Sequence, residues 1–475
     1  MTPSAELLDD IRALVGDAQL RCGKAVAALD PGWDHNNLGA GILVTPGSAS
    51  EVAAVMRLCH RHGVPVVPQG GRTGLVGGGI SQPGEIILGL GRLNRIERLD
   101  PVERVAVVEA GVTLQALQEA AAAHGLEPGI DLAARGSATI GGMVSTNAGG
   151  VMAFRNGVMR HRVLGLEAVL ADGSVYCDLT RVVKNTAGYD LKHLFIGAEG
   201  TLGIVTRIVV KLDVAPRATA TALFGFASVA AALATIRRAL DAEAGYLRAA
   251  EGLWRSYLQL TAHAHGWSVP AFDMGLPVYL LLSLGGAEPE RLHSSFERLF
   301  EEALEGDPKT SGIIASSVRQ ESELWRLRED TDSLYRRHPR APSYDVSVPP
   351  SELESYVGRI LEGLGAIEPD LAPYLFGHLA DGNLHIVLNR AGPLAPHTAA
   401  AVEAVLYGDL ASLGGSFSAE HGVGSKRIHS LVATTAATKL AAMARIKDAL
   451  DPGHLLNPGK VLPGKVLPGK VLPKT

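Results

Sequence analysis

The stretch Gly377-His378-Leu379-Ala380-Asp381-Gly382-Asn383-Leu384-His385 sets two imidazoles on either side of a hairpin-type turn, where they can converge on one point. Asp381, Gly382 and Asn383 supply the turn chemistry, since Asp and Asn bond their own backbone and Gly accepts positive φ. Residues 374–376 and 384–388 read as the flanking strands. Neutral imidazoles suit zinc, iron or manganese, but two ligands make an incomplete site. Further on, Ser418-Ala419-Glu420-His421-Gly422-Val423-Gly424 offers a carboxylate directly beside a third imidazole. Two histidines and one glutamate with an open position form a catalytic pattern. The plainer alternative, which spacing alone favours, is a hairpin whose histidines are solvated or bonded to backbone.

What must carry these groups is a chain of 475 residues, long enough for two or three domains and 47% hydrophobic. A net charge of -5 with both signs interspersed leaves no basic stripe, so nucleic acid is not an expected partner. Cys22, Cys59 and Cys177 stand singly, which excludes a disulfide framework, a zinc ribbon or an iron–sulfur cluster on this chain and points to a reducing compartment, taken as the cytoplasm. Residues 1–20 read as an amphipathic helix and not as a signal or transit peptide. No apolar run reaches membrane-spanning length.

Residues 38–215 alternate short β runs with helices, the texture of an α/β region. A helix is expected at 48–62 and a strand at 64–67. Then comes Pro68-Gln69-Gly70-Gly71-Arg72-Thr73-Gly74-Leu75-Val76-Gly77-Gly78-Gly79, a loop dense in amides that can approach a phosphate without a Cβ in the way. It has neither the Lys-Ser/Thr ending of a P-loop nor the order of a dinucleotide-binding turn. A second cluster, at 128–131 and 136–150, is small and hydroxylic, suited to wrapping a flat phosphate-bearing ligand. A third spans 184–205. From 217 longer β runs alternate with amphipathic helices, such as 288–304, suggesting an antiparallel sheet with helices on one face. A capping box is expected at 351–354 and helices at 398–413 and 440–450. The end repeats Pro-Gly-Lys-Val-Leu, a low-complexity tail.

The motifs at 68–79, 136–150, 197–205, 377–385 and 420–424 resemble the flavoprotein family of D-2-hydroxyacid dehydrogenases, which includes D-lactate dehydrogenases, D-2-hydroxyglutarate dehydrogenases and the flavin subunit of glycolate oxidase. The resemblance covers about residues 46–460. It implies an α+β chain: a two-subdomain FAD-binding domain of the vanillyl-alcohol oxidase and para-cresol methylhydroxylase type, an α+β substrate domain and a helical C-terminal segment. The corresponding expectation is an N-terminal helical segment at 1–37, the FAD domain at 38–215, the substrate domain with the hairpin at 216–415, a segment at 416–460 completing the active site, and the tail at 461–475.

The resemblance further implies FAD held by Pro68, Gly70, Gly71, Arg72, Thr73, Gly74, Leu75, Gly77 and Gly78, by Pro128, Ile130, Gly136, Ser137, Thr139, Gly141, Gly142, Ser145, Asn147 and Gly150, and by Glu199, Gly200, Gly203, Ile204, Val205 and Asn457. The 68–79 loop contains no histidine or cysteine, so the FAD is expected to be non-covalent. A divalent metal, zinc first with manganese or iron as alternatives, falls to His378, His385 and Glu420. His421 is then the base, Arg328 the carboxylate-binding group and Asn383 a hydrogen-bonding partner of substrate or flavin. The reaction implied is oxidation of a small D-2-hydroxy acid to the 2-oxo acid by hydride transfer to flavin N5. Electrons would pass on to an electron-transfer flavoprotein, a cytochrome or a quinone; an oxidase using oxygen, a D-2-hydroxyglutarate dehydrogenase and the flavin-bearing subunit of an electron-transfer complex are the alternatives, and a homodimer stays open. Three positions depart from the family pattern. Arg72 replaces a common Asn. Ser343 stands where 2-hydroxyglutarate dehydrogenases have a lysine, and Asp332 where they have a threonine. Both of the latter sites would touch a distal carboxylate, so an uncharged substrate side chain of the D-lactate kind is expected.

Overall fold

A computed structural model describes residues 3–242 and 245–464, which include the first residues of the tail but not 465–475. The chain is α+β and divides into two compact units. The first comprises the residues up to Gly149, Asn156–Val214 and those from Glu420 on; the second comprises Gly150–Arg155 and Ala215–Ala419. The N-terminal helix Ala5–Val15 is therefore part of the first unit, and buries Leu7, Ile11 and Val15 in its core.

The first unit holds two principal sheets. In the smaller, Ile42–Val44, Ile86–Gly89 and Val66–Gln69 run parallel, with Leu20–Cys22 antiparallel at the edge. The helix Ala49–His62 starts on the Ser48 side chain, which accepts from Glu51 N at 3.2 Å, and stops at Gly63 with φ +63°. That left-handed residue turns the chain into Val66–Gln69 and so delivers the amide-dense loop to the end of a buried strand. The C-terminal segment extends this edge, Val66 N donating to Leu455 O and Asn457 N to Val66 O, each at 2.8 Å. The larger sheet is antiparallel, in the order Ile96–Asp100, Val105–Glu109, Ile204–Lys211, Val163–Val169, Val175–Asp178.

The second unit is built on a seven-stranded antiparallel sheet in the order Ser311–Ile314, Ala218–Phe226, Val278–Gly286, Gly245–Trp254, Pro373–His378, Asn383–Leu388, Ser343–Ser347. Helices cover both faces, where the sequence suggested one. The strand Val278–Gly286 shows why: Leu280, Leu282 and Leu284 join Val229–Leu240, Pro289–Gly306 and Leu353–Ile367 in one core, while Tyr279 and Leu281 join Arg255–His265 and Val318–Glu329 in another. A strand apolar on both sides requires cover on both. Two local expectations also change. A 3-10 turn, Pro350–Glu352, occupies the start of the expected capping box, and the helix Leu353–Ile367 follows with Glu352 at its N-cap and no side-chain cap bond. The helix expected at 398–413 breaks at Gly408 into Pro396–Tyr407 and Leu410–Leu413. Among the described residues no helix is long and apolar enough to cross a membrane.

Candidate active site

Within the first unit, the three glycine-rich stretches meet at one groove of about 980 Å³, counted to its open mouth. Of the residues expected to hold a cofactor, Pro68, Gly70, Gly71, Arg72, Thr73, Gly74 and Gly78 line it from the first loop. Thr139, Gly141, Gly142 and Ser145 line it from the second, and Glu199, Gly200, Gly203, Ile204 and Val205 from the third. Glycine is needed where the loops press together: a Cβ on Gly71 would collide with Ser137 O, one on Gly70 with Thr139 Oγ1, and one on Gly200 would lie 2.6 Å from Pro68. Glycines and small hydroxylic residues make up much of the lining and bring backbone amides within reach of a phosphate, so its donor set fits FAD. Arg72 does not hang free in solvent: its guanidinium donates to Gln69 Oε1 at 2.9 Å and to Asp30 O at 2.7 Å, and burial lowers its pKa.

The remaining expected cofactor residues lie outside this lining, for local reasons. The carbonyls of Leu75 and Gly77 face Lys426 Nζ and Ser425 Oγ, at 3.3 and 3.2 Å. Pro128 O accepts from Arg162 and Ile130 sits in the core. Gly136 lies beside Gln115, and Ser137 backs Gly71. Asn147 ends the helix Ile140–Thr146 in the left-handed region with Oδ1 bound to Arg160 N, and Gly150 opens a segment of the second unit. Asn457 is buried behind the groove, donating to Gly78 O and Glu199 O. The first half of the third cluster, 184–191, is exposed and lines no part of the groove. Gln69, Gly79, Ala138, Met143, Thr146 and Ala148 also line it from within the two stretches the sequence marked, while Leu90 and Leu132, apolar residues outside them, carried no sequence signal.

Glu199 has a more specific place than the groove wall. Its carboxylate accepts from Val423 N at 2.7 Å and Gly424 N at 2.9 Å, fixing the turn that carries Glu420 and His421. Burial raises its pKa; the two amides and Arg427 offset that only in part. Glu420 and His421 are half-buried at the start of the segment returning to this unit.

In the second unit, register decides what shares a face. Ser347, Asn383, His378 and Glu251 form one cross-strand row, and Asp345, His385, Phe376 and Leu253 the next. The rings of His378 and His385 lie edge to face with centroids 5.5 Å apart. Each imidazole has a buried carboxylate at Nδ1: Glu251 Oε1 at 2.7 Å from His378, and Asp345 Oδ1 at 3.4 Å from His385. Such outer carboxylates accompany metal-ligating histidines, so this donor set fits a divalent metal. Arg328 forms an ion pair with Glu251 Oε2 at 2.7 Å, its guanidinium over the Phe376 ring at 5.1 Å. Its Nε is buried with no hydrogen-bond partner among the described residues. Burial alone would raise the pKa of Glu251, but His378 and Arg328 bring it below the ordinary value. Asn383 Nδ2 donates to Asp345 Oδ1 at 2.8 Å and Val346 O at 2.9 Å, which leaves a buried acceptor, Oδ1, without a partner among the described residues. Asn383 can thus accept a hydrogen bond from a ligand hydroxyl.

Glu251 and Asp345 were not among the expected site residues. The signal available was a single acid in each strand, Glu251 in Gly245–Trp254 and Asp345 in Ser343–Ser347. Asp332, in contrast, is exposed at the start of the helix Asp332–Arg337, and Ser343 is half-buried on the edge strand. The repulsion that Asp332 was expected to exert on a distal carboxylate is therefore screened by water, and the preference for an uncharged substrate side chain keeps only its other support, the serine at 343 in place of a lysine.

Residues 215–461 match the family of FAD linked oxidases, C-terminal domain, and residues 40–177 match the FAD binding domain. The chain is 37% identical over 437 residues to the D-2-hydroxyglutarate dehydrogenase of Xanthomonas citri pv. viticola, covering 90% of each protein. It is 36% identical over 421 residues to the mitochondrial D-2-hydroxyglutarate dehydrogenase of Bos taurus, covering 89% of this chain and 76% of that one. Its fold is similar to that of p-cresol methylhydroxylase, with a TM-score of 0.73 at 18% identity over 97% of this chain and 96% of the other. The relatives from Bos taurus, Arabidopsis thaliana and Danio rerio are mitochondrial, which overturns the cytoplasmic expectation. Lone cysteines indicate a reducing environment and do not distinguish one reducing compartment from another.

Proposed function

We propose, from the premise that this chain belongs to the family of FAD-linked oxidases with a PCMH-type FAD-binding fold and is closely related to the D-2-hydroxyacid dehydrogenases within it, that it oxidises D-2-hydroxyglutarate to 2-oxoglutarate. The observation that carries the proposal is the constellation of His378, His385 and Asn383 on one sheet face with Arg328 packed over it from the helix Val318–Glu329, together with relatives of that activity spanning the chain. FAD supplies the two-electron acceptor, and a divalent metal, zinc in the first instance, supplies positive charge at the substrate's hydroxyl and carboxylate. The first-unit residues lining the groove, from Pro68 to Val205, hold the cofactor. His378 and His385 offer Nε2, since their Nδ1 atoms face carboxylates, and Glu420 is the third ligand. Arg328, whose Nε has no hydrogen-bond partner among the described residues, receives a substrate carboxylate. Asn383 orients the substrate. His421 takes the hydroxyl proton as C2 is oxidised.

The test is turnover with an artificial dye acceptor on the separate D and L forms of 2-hydroxyglutarate, lactate, malate and mandelate. D-2-hydroxyglutarate is expected to show the highest kcat/KM. A kcat/KM for D-lactate or D-mandelate equal to or above it overturns the substrate assignment.

A further inference from the structure

Glu251 is fully buried, yet no expected ligand set includes it. Its two oxygens have separate partners: Oε1 faces His378 Nδ1 and Oε2 faces Arg328, each at 2.7 Å. Burying a carboxylate is costly before its partners offset the cost, and an apolar residue of like volume is often the more stable choice. A charge at this position therefore needs a reason other than stability. The two partners supply one, because they belong to different halves of the chemistry.

We propose that Glu251 is a positioning residue shared by the metal and substrate sites, setting the proton on His378 and the guanidinium plane of Arg328 at once. The proposal rests on the metal and carboxylate roles assigned above. An ionised carboxylate only accepts, so the proton of a neutral His378 sits on Nδ1 and the lone pair on Nε2. The strand register fixes the ring, since Glu251 is the direct cross-strand neighbour of His378 and Leu379 N donates to Ala250 O at 2.9 Å. The same carboxylate holds Arg328 by one Nη2, while Tyr257 Oη donates to the Arg328 carbonyl at 2.9 Å and anchors the backbone beneath. Nε is left for an incoming carboxylate. Glu251→Gln keeps the volume but loses the charge, and its amide N–H group would point at either the imidazole N–H or the guanidinium.

The experiment uses the full FAD-loaded chain, stripped of metal, with two binding readouts and no turnover. Cobalt(II) is titrated by its visible absorption, and 2-oxoglutarate by its perturbation of the flavin spectrum in the absence of metal. Glu251→Gln is expected to weaken cobalt binding by about 10- to 100-fold, the usual cost of losing an outer partner, and to weaken 2-oxoglutarate binding as well. His378→Ala should lose cobalt alone and Arg328→Gln should lose 2-oxoglutarate alone. FAD content and the thermal midpoint report whether each variant is folded; Glu251→Asp, which keeps the charge, should recover part of one or both affinities. A folded Glu251→Gln that binds both ligands as tightly as the unaltered chain, or loses only one, overturns the shared role. An unaltered chain that binds no cobalt overturns the metal reading itself and this proposal with it, and one that binds cobalt but not 2-oxoglutarate overturns the substrate reading and the Arg328 half.

Discussion

The cofactor groove of the first unit and the polar sheet face of the second solve opposite problems. The groove is made mostly of main chain: glycines at 70, 71 and 200 let three loops close on one another, and its amides and hydroxyls are offered without any one side chain dominating. The sheet face is made of side chains in defined pairs, Glu251 with His378 and Arg328, Asp345 with His385 and Asn383. A large ligand held at many amides tolerates loss of any one contact but not an added Cβ. A small site built on a few charged groups tolerates neither loss nor misplacement of one.

The sharpest way to break this contrast is to delete metal ligands. His378→Ala, His385→Ala and Glu420→Ala, or chelation of the unaltered chain, should each bring turnover to background while FAD stays bound, as metal analysis beside the flavin spectrum will show. Retained turnover without metal would remove the distinction. The reverse pattern is expected from Gly71→Ala, where the new Cβ meets Ser137 O: FAD should be lost and the fold weakened by about 1–3 kcal/mol, the range for overpacking, read as flavin content and thermal midpoint. His421→Ala sharpens the contrast further. It should keep both FAD and metal and lower kcat by about 10²- to 10⁴-fold, as expected for loss of a general base.

The smallest effect concerns acid stability in the second unit. Burial alone would raise the pKa of Asp330, but the Ser333 hydroxyl and amide, His265 and Arg336 hold it below its ordinary value. A depressed carboxylate stabilises the fold above its unfolded pKa, and that contribution is lost as pH falls through the folded value. Asp330→Asn should therefore narrow the gap in thermal midpoint between neutral and acid pH, by an amount worth less than about 1 kcal/mol at neutrality.

The groove and the hairpin were legible in the sequence because each is local. Glycine clusters at 68–79 and 136–150 announce backbone packing, and two histidines flanking Asp381-Gly382-Asn383 announce a shared face. The partners of those histidines were not legible. Glu251 is 127 residues from His378, and only the pairing of Gly245–Trp254 with Pro373–His378 brings them together. Exposure was equally hidden: Asp332 and the 184–191 segment face water, although their composition allowed a place in a site.

The central claim is that the second unit's charged face, with its metal, orients a D-2-hydroxy dicarboxylate for oxidation by the flavin. It is tested most directly by mixing the metal-loaded and metal-stripped proteins anaerobically with D-2-hydroxyglutarate and its L enantiomer and following the visible flavin absorbance. The account predicts bleaching with the D form and metal present, and little change in the other three mixtures. Bleaching that is as fast without metal, or with the L form, would contradict it.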